Sequence, residues 1–236
     1  MANSPGTQLQ TALQHGTYEI TGQFAFGSNY TFLVTVHHAG REYHAVYKPT
    51  RGEQPLWDFP ENTLAGREVA AYLVSEHLGY RIVPFTTLRE DGPYGAGSLQ
   101  EFIDYDPEYH YFNFSEEDKQ FLKPVVLFDV LCNNADRKGS HVFFTKDTHK
   151  LYAIDHGICF HEDNKLRTVL WDFAGQKIAE DLLAPLSGIK SLLPSLERYL
   201  TPRERSALCA RADAILKKGI FPRQPRDRRA MPWPPL

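Results

Sequence analysis

Apolar and β-prone residues flank Gly22 and Gly27 across positions 18–36, with Ser28 and Asn29 beside the second glycine. This pattern predicts two strands joined by a turn. The run 42–47 alternates and is rich in β-formers, so it predicts a third strand ending at Lys48-Pro49, since proline cannot donate to a ladder. Residues 51–60, punctuated by prolines and aromatics, predict a loop. Apolar residues then take helical spacing over 64–78, with Asn62 or Thr63 as the candidate cap and Gly79 as the C-terminal stop. Two further strands are expected at 86–88 and 98–103, on either side of a turn at 92–97.

The second half changes character. Ser115 followed three residues later by Asp118 has the spacing of a capping box, and a helix is expected through 121–132 with Pro124 near its start. A polar loop follows at 133–141, then a hairpin of short strands at 142–144 and 151–154. From about 169 to 216 the chain reads as mostly helical, broken at Pro185, Pro194 and Pro202; from Phe221 it reads as an extended, proline-rich tail. The chain therefore reads as α+β: an N-terminal extension (1–17), a β-rich lobe with one helix (18–103), a mainly helical lobe (104–220) and the tail (221–236), with a cleft between the lobes.

Composition narrows the function. The chain has 236 residues, 42% of them hydrophobic, enough for a proper core. A net charge of -3 lacks the basic excess of a general nucleic-acid binder. The one basic cluster (Arg223, Arg226, Arg228, Arg229) lies among the tail prolines and reads as solvated. Three widely spaced cysteines (Cys132, Cys159, Cys209) fit a reducing compartment and exclude a disulfide framework or a four-cysteine zinc site. The first residues lack the basic start and apolar run of a signal peptide, and no apolar stretch approaches the roughly 20 residues that span a bilayer, so a cytoplasmic location is expected. No His-x-x-x-His or Glu-x-x-His pairing marks a zinc enzyme, and no Gly-x-Ser-x-Gly elbow marks a serine hydrolase.

Two polar spots stand out in apolar surroundings. One is the loop Asn133-Asn134-Ala135-Asp136-Arg137-Lys138-Gly139-Ser140-His141; the other is Asp155-His156-Gly157, which ends an apolar strand. Phosphoryl transfer asks for metal ligands, a lysine for the phosphates and an acid that orients the nucleophile. A loop acid, a hairpin and a second acid before glycine supply that arrangement. Taken singly, Lys48 also reads as a solvated strand-end lysine, Glu68 as a surface glutamate, and Asp136 and Asp155 as loop caps. Asn133 and Asn134 read as structural, fixing the loop by side-chain hydrogen bonds.

The loop resembles the catalytic loop of the protein-kinase-like superfamily, nearest to its phosphatidylinositol 3- and 4-kinase branch, where Asp-Arg is a loop signature. Asp155-His156-Gly157 resembles the metal-binding Asp-Phe-Gly motif, Tyr47-Lys48-Pro49 the strand bearing the phosphate-binding lysine, and Glu68 the helix glutamate paired with it. Over 48–60, 67–72, 133–141, 155–160, 165–175 and Pro232-Trp233-Pro234-Pro235 the chain is similar to a small bacterial, mostly actinobacterial family of phosphatidylinositol 3- and 4-kinase-like proteins. The resemblance implies a two-lobed protein-kinase-like fold that uses ATP with Mg2+ or Mn2+. By it, Lys48 contacts the α- and β-phosphates and Glu68 holds it. Asp136 orients and deprotonates the acceptor hydroxyl, Lys138 lies on the γ-phosphate, and Asp155 binds metal. Gly27, Ser28 and Asn29 cover the phosphates, and Glu101, Phe102 and Ile103 form the hinge against adenine. The acceptor is a hydroxyl on a lipid head group, a small molecule or a protein, with His161, Lys165 and Arg167 placed to hold an anionic one.

Three departures from the family pattern keep other readings open. His141 stands where a metal-binding asparagine is usual, either as a ligand or as a satisfied loop histidine, and imidazole is a soft partner for magnesium. His156 replaces the apolar middle residue of Asp-Phe-Gly. The glycine loop matches Gly-x-Gly-x-x-Gly poorly. A non-catalytic nucleotide-binding pseudokinase module, a Ser/Thr protein kinase similar to HipA-type toxins, and a transferase of AMP from the same cleft remain as alternatives.

Overall fold

The computed structural model describes residues 5–24 and 30–236, Pro5 by its backbone alone. Strands β1 (Thr17–Gln23), β2 (Phe32–His38), β3 (Arg41–Pro49), β4 (Thr86–Gly92) and β5 (Gly95–Glu101) form one antiparallel sheet in the order β1-β2-β3-β5-β4. Period-two alternation puts Ala45 and Tyr47 of β3 on one face, packed with Val34, Val36 and Leu99, and turns Lys48 to the other. The first face is covered by helix α1 (Pro5–His15), which the sequence reading treats only as an extension. Leu9, Ala12 and Leu13 form its apolar stripe, and Arg89 closes its C-terminal end by donating to the carbonyls of Leu13 and Gly16 at 2.8 and 2.9 Å.

Helix α2 (Leu64–His77) lies where its spacing predicts, but its N-terminal cap differs. Thr63 makes no capping bond; the carboxylate of Glu53, from the preceding loop, accepts from the amides of Leu64 (3.2 Å) and Ala65 (2.9 Å). Tyr72 of α2 packs against both hydrophobic cores, one under the sheet and one in the helical half.

The second half is less regular than its apolar pattern suggests. Ser115 caps α3 (Glu116–Gln120), α4 (Lys123–Cys132) is buried on nearly every side, and β6 (Val142–Phe144) pairs with β7 (Leu151–Ala153). Residues 156–179 form no helix. Thr168 bridges to Arg137, and the amides of Gly175 and Ile178 donate to the carbonyls of Phe221 and Gly219, so tertiary pairing takes the backbone groups a helix would need. Helices α5 (Glu180–Leu183), α6 (Leu193–Leu196) and α7 (Pro202–Lys218) follow, with a 3-10 stretch over Ala184–Leu192. Thr201 and Glu204 form a reciprocal capping box at the start of α7. Of the tail arginines, Arg223, Arg226 and Arg229 are exposed as expected, whereas Arg228 docks, donating to the Leu166 carbonyl and to Asn164, both at 2.9 Å. Among the described residues no helix is long and apolar enough to cross a membrane.

Candidate active site

Lys48, Glu68 and Asp155 come from three distant stretches and meet where β3, α2 and the turn after β7 converge. Lys48 Nζ lies 2.5 Å from Glu68 Oε1 and 3.0 Å from Asp155 Oδ1. The other oxygen of Glu68 accepts the His156 amide at 2.9 Å, so a nearly buried carboxylate on α2 ties β3 to the Asp155-His156-Gly157 turn. Burial pulls the Lys48 ammonium down, but the carboxylates of Asp155 and Glu68 outweigh it and hold the pKa above its ordinary value. Burial likewise pushes the Asp155 carboxyl up, and the facing Lys48 ammonium overrides that, keeping it ionised. Asp155 adopts φ +63°, a left-handed conformation that aspartate tolerates better than most residues. About half of its side-chain surface (48%) is open to solvent.

The polar loop sorts its side chains by direction. Asn133 ends α4 at φ +57°, and its amide group holds the carbonyls of His161 and Asp163 and the amide of Lys165. Asn134 donates to Asp129 and accepts the Asp136 amide at 2.9 Å, which turns the loop. Arg137 points inward and is fully buried. It forks onto Asp129 of α4 (2.9 and 3.0 Å), donates to the Ile154 carbonyl (2.7 Å) and reaches His156 Nε2 (2.7 Å). It therefore fixes the loop to the strand that presents Asp155. Asp136 and Lys138 stay partly exposed, their charged atoms 3.7 Å apart. Burial raises the Asp136 pKa to about 6, helped by the negative charge of Asp155 and opposed by Lys138 and Arg167.

His141 Nε2 lies 3.3 Å from Asp155 Oδ2. Its Nδ1 accepts the Lys138 amide at 3.5 Å, which leaves the ring proton on Nε2, facing the carboxylate. Burial pushes this imidazole down to about 4, so it is neutral near pH 7. Among the described residues no three His, Cys, Asp or Glu side chains cluster to hold a metal ion by themselves. An ionised Asp155 open to the cleft suits a hard ion that takes most of its ligands from phosphate oxygens and water. His141 joins it through Nε2 only in the tautomer that gives up the Lys138 contact.

The remaining expected residues divide. Gly27, Ser28 and Asn29 lie outside the described residues. Strand β5 ends at Glu101, two residues before the expected boundary. The amides of Glu101 and Phe102 donate to the carbonyls of Phe85 and His44, so two of the three hinge donors are spent within the protein. His161 is tied to the Asp58 carbonyl and the Asp163 amide, and Lys165 lies 3.1 Å from Asp58, so neither stands free for an acceptor. Arg167 keeps its backbone on the loop, donating to Asn134 and accepting from Arg137, with its charge felt at Asp136.

Sequence reasoning passed over Asp129, the buried partner of both Asn134 and Arg137. The available signal was a lone carboxylate inside the apolar helix segment Val125 to Cys132. It also passed over the buried Arg67–Glu204 pair, 2.5 Å, in which Arg67 holds the Cys159 carbonyl and joins α2 to α7. Their separation of 137 residues carries no local pattern.

A β-sheet lobe and a helical lobe, with the lysine on β3, the glutamate on α2 and the two acids on a loop and a post-strand turn, make this a protein-kinase-like α+β fold. No family model matches the chain. It is 38% identical over 262 residues to protein Rv2133c of Mycobacterium tuberculosis, covering 94% of this chain and 93% of that one, and it belongs to the family of that protein. Solved structures share this fold. The Helicobacter pylori proinflammatory kinase CtkA superposes with a TM-score of 0.54 at 14% identity, covering 87% of this chain and 93% of its own. A hydra Fam20 structure with sugar gives 0.54 at 13% identity, covering 92% and 90%.

Proposed function

We propose that this chain is an ATP- and divalent-metal-dependent phosphotransferase that moves the γ-phosphate to a hydroxyl acceptor. The observation that carries the reading is the Lys48 ammonium held between Glu68 and Asp155. A lysine so fixed is oriented for polyphosphate, and a carboxylate so paired stays ionised at the pH of the cell. In the nucleotide complex Lys48 exchanges its Asp155 contact for phosphate oxygens and keeps Glu68. A Mg2+ or Mn2+ ion on Asp155 would neutralise charge on the phosphates. Asp136 accepts the proton of the acceptor hydroxyl; a carboxyl with a pKa of about 6 is ionised at pH 7 and still basic enough for the task. Lys138 offsets charge that develops on the transferred group. The Asp136-Arg137 pair in the loop supports membership of the phosphatidylinositol 3- and 4-kinase-like group, from whose pattern His156 in the turn departs.

The test is transfer from ATP labelled at the γ- or the α-phosphate, with Mg2+ or Mn2+, by the wild-type chain and Asp136→Asn. Wild type should release or transfer the γ-label only, and the variant should bind ATP but lose about 100-fold or more in transfer, the scale of a missing general base. Equal rates in the two proteins would refute the assignment of Asp136. ATP binding without transfer in the wild type would identify a pseudokinase module, and transfer of the α-label would identify an AMP transferase.

A further inference from the structure

The C-terminal tail touches the site at two places that share a logic. The carbonyl of Pro235 accepts the Gly139 amide at 2.8 Å, and the carbonyl of Ala230 accepts the Thr168 amide at 3.0 Å. Gly139 directly follows Lys138, and Thr168 directly follows Arg167. These are the two cations whose charges act on Asp136. Between the contacts, Arg137 and Thr168 form a parallel bridge, so the catalytic loop, the strip around Thr168 and the tail lie side by side. The seat is packed: Ala230 is buried, Leu236 lies close to Gly139, and Arg228 clamps the Leu166 carbonyl and Asn164. Phe112 closes the other side of Gly139 so tightly that a β-carbon there would come within 2.7 Å of its ring.

The composition of the tail suits this use. Prolines at 232, 234 and 235 offer carbonyls and no amide donor, and their fixed φ leaves little backbone freedom to lose on docking. Trp233, by contrast, is 78% exposed.

We propose that the C-terminal tail is a positioning strap that holds Lys138 and Arg167 in register beside Asp136, and so governs phosphate transfer rather than nucleotide binding. The proposal rests on the phosphotransferase reading for its kinetic consequence alone. Lys48, Glu68 and Asp155, which would hold the nucleotide, make their contacts with one another and with His156 and His141.

The test uses full-length variants. Ala230→Glu puts a charge into the buried seat, Arg228→Ala removes the clamp more mildly, and Trp233→Ala alters an exposed tail residue as control. Amide hydrogen exchange is read residue by residue, together with affinity for ATP with Mn2+ and release of γ-phosphate. In Ala230→Glu, exchange at Gly139, Thr168 and Arg167 should rise about tenfold or more while α4 amides stay slow. ATP affinity should stay within roughly threefold and phosphate release should fall about tenfold or more. Arg228→Ala should move the same quantities less, and Trp233→Ala should move none. If Gly139 and Thr168 open while Arg167 exchanges as in wild type, the tail positions nothing and the proposal is overturned. It is equally overturned if affinity and release fall together, as a loss of general structure would make them. If the wild type binds ATP and releases no phosphate, the phosphotransferase reading fails, and the Arg167 amide still decides the strap. If Ala230→Glu does not fold, Arg228→Ala decides by the same readouts.

Discussion

Asp136 carries a stability cost that its proposed role as a base explains. Its carboxyl titrates near pH 6 in the folded chain against an ordinary 3.8, so folding favours the protonated form. The stability this group supplies is present below its unfolded pKa and is lost as pH rises through the folded one. A gap of roughly two units corresponds to about 3 kcal/mol at pH 7. Asp136→Asn should therefore raise the unfolding free energy of the nucleotide-free chain by up to about that amount at pH 7, and by little at pH 4, in denaturant melts at the two values. The same titration predicts that transfer by the wild type falls about tenfold per pH unit below about 6. Lys48→Met should act in the opposite sense on stability. It strands Glu68, 2% exposed, without its cation, at a cost on the order of 3 kcal/mol, and it should weaken ATP binding as read by calorimetry. His141→Asn removes a soft nitrogen beside Asp155, so the ratio of Mn2+-supported to Mg2+-supported transfer should fall.

At the scale of elements, the loop and the Asp155 turn are one unit because Arg137 spans them. Arg137→Met leaves Asp129 as an unpaired buried charge in α4 and should cost about 3–5 kcal/mol. The double variant Arg137→Met with Asp129→Leu should regain much of that stability, because no charge remains stranded, without regaining transfer, because the fork that registers the loop is gone. What the sequence made legible follows from range. Strands β2 and β3 and helix α2 showed through the periodicity of adjacent residues, and the 133–141 loop through its run of polar residues. The cap on α2 did not show, since Glu53 reaches it from eleven residues back. The absent helix at 169–179 did not show either, because Phe221 and Gly219 take its amides from more than forty residues away. Lys48 and Asp155 were legible as charged residues at strand ends and Glu68 as a carboxylate within the next helix, whereas the inward turn of Arg137 depends on Asp129, whose role is visible only once α4 is packed.

At the scale of the molecule, the cleft joins two cores that Tyr72 of α2 bridges, and the buried Arg67–Glu204 pair anchors the same helix to α7. Glu68 therefore sits on an element fastened to both halves, and its grip on Lys48 and the His156 amide follows the relative placement of the lobes. A ligand that binds the folded chain alone stabilises it by mass action, about 2.7 kcal/mol at a hundredfold excess over Kd, so ATP with Mn2+ should raise the melting temperature of the wild type and not that of Lys48→Met. The most direct measurement is a crystal structure with a non-hydrolysable ATP analogue and Mn2+, located by its anomalous signal. The account predicts manganese about 2.1 Å from an Asp155 oxygen, Lys48 Nζ moved from Asp155 onto the phosphates while still on Glu68, and the Asp136 carboxylate facing the γ-phosphate. A nucleotide bound away from Lys48, or a metal ion held without Asp155, would contradict it.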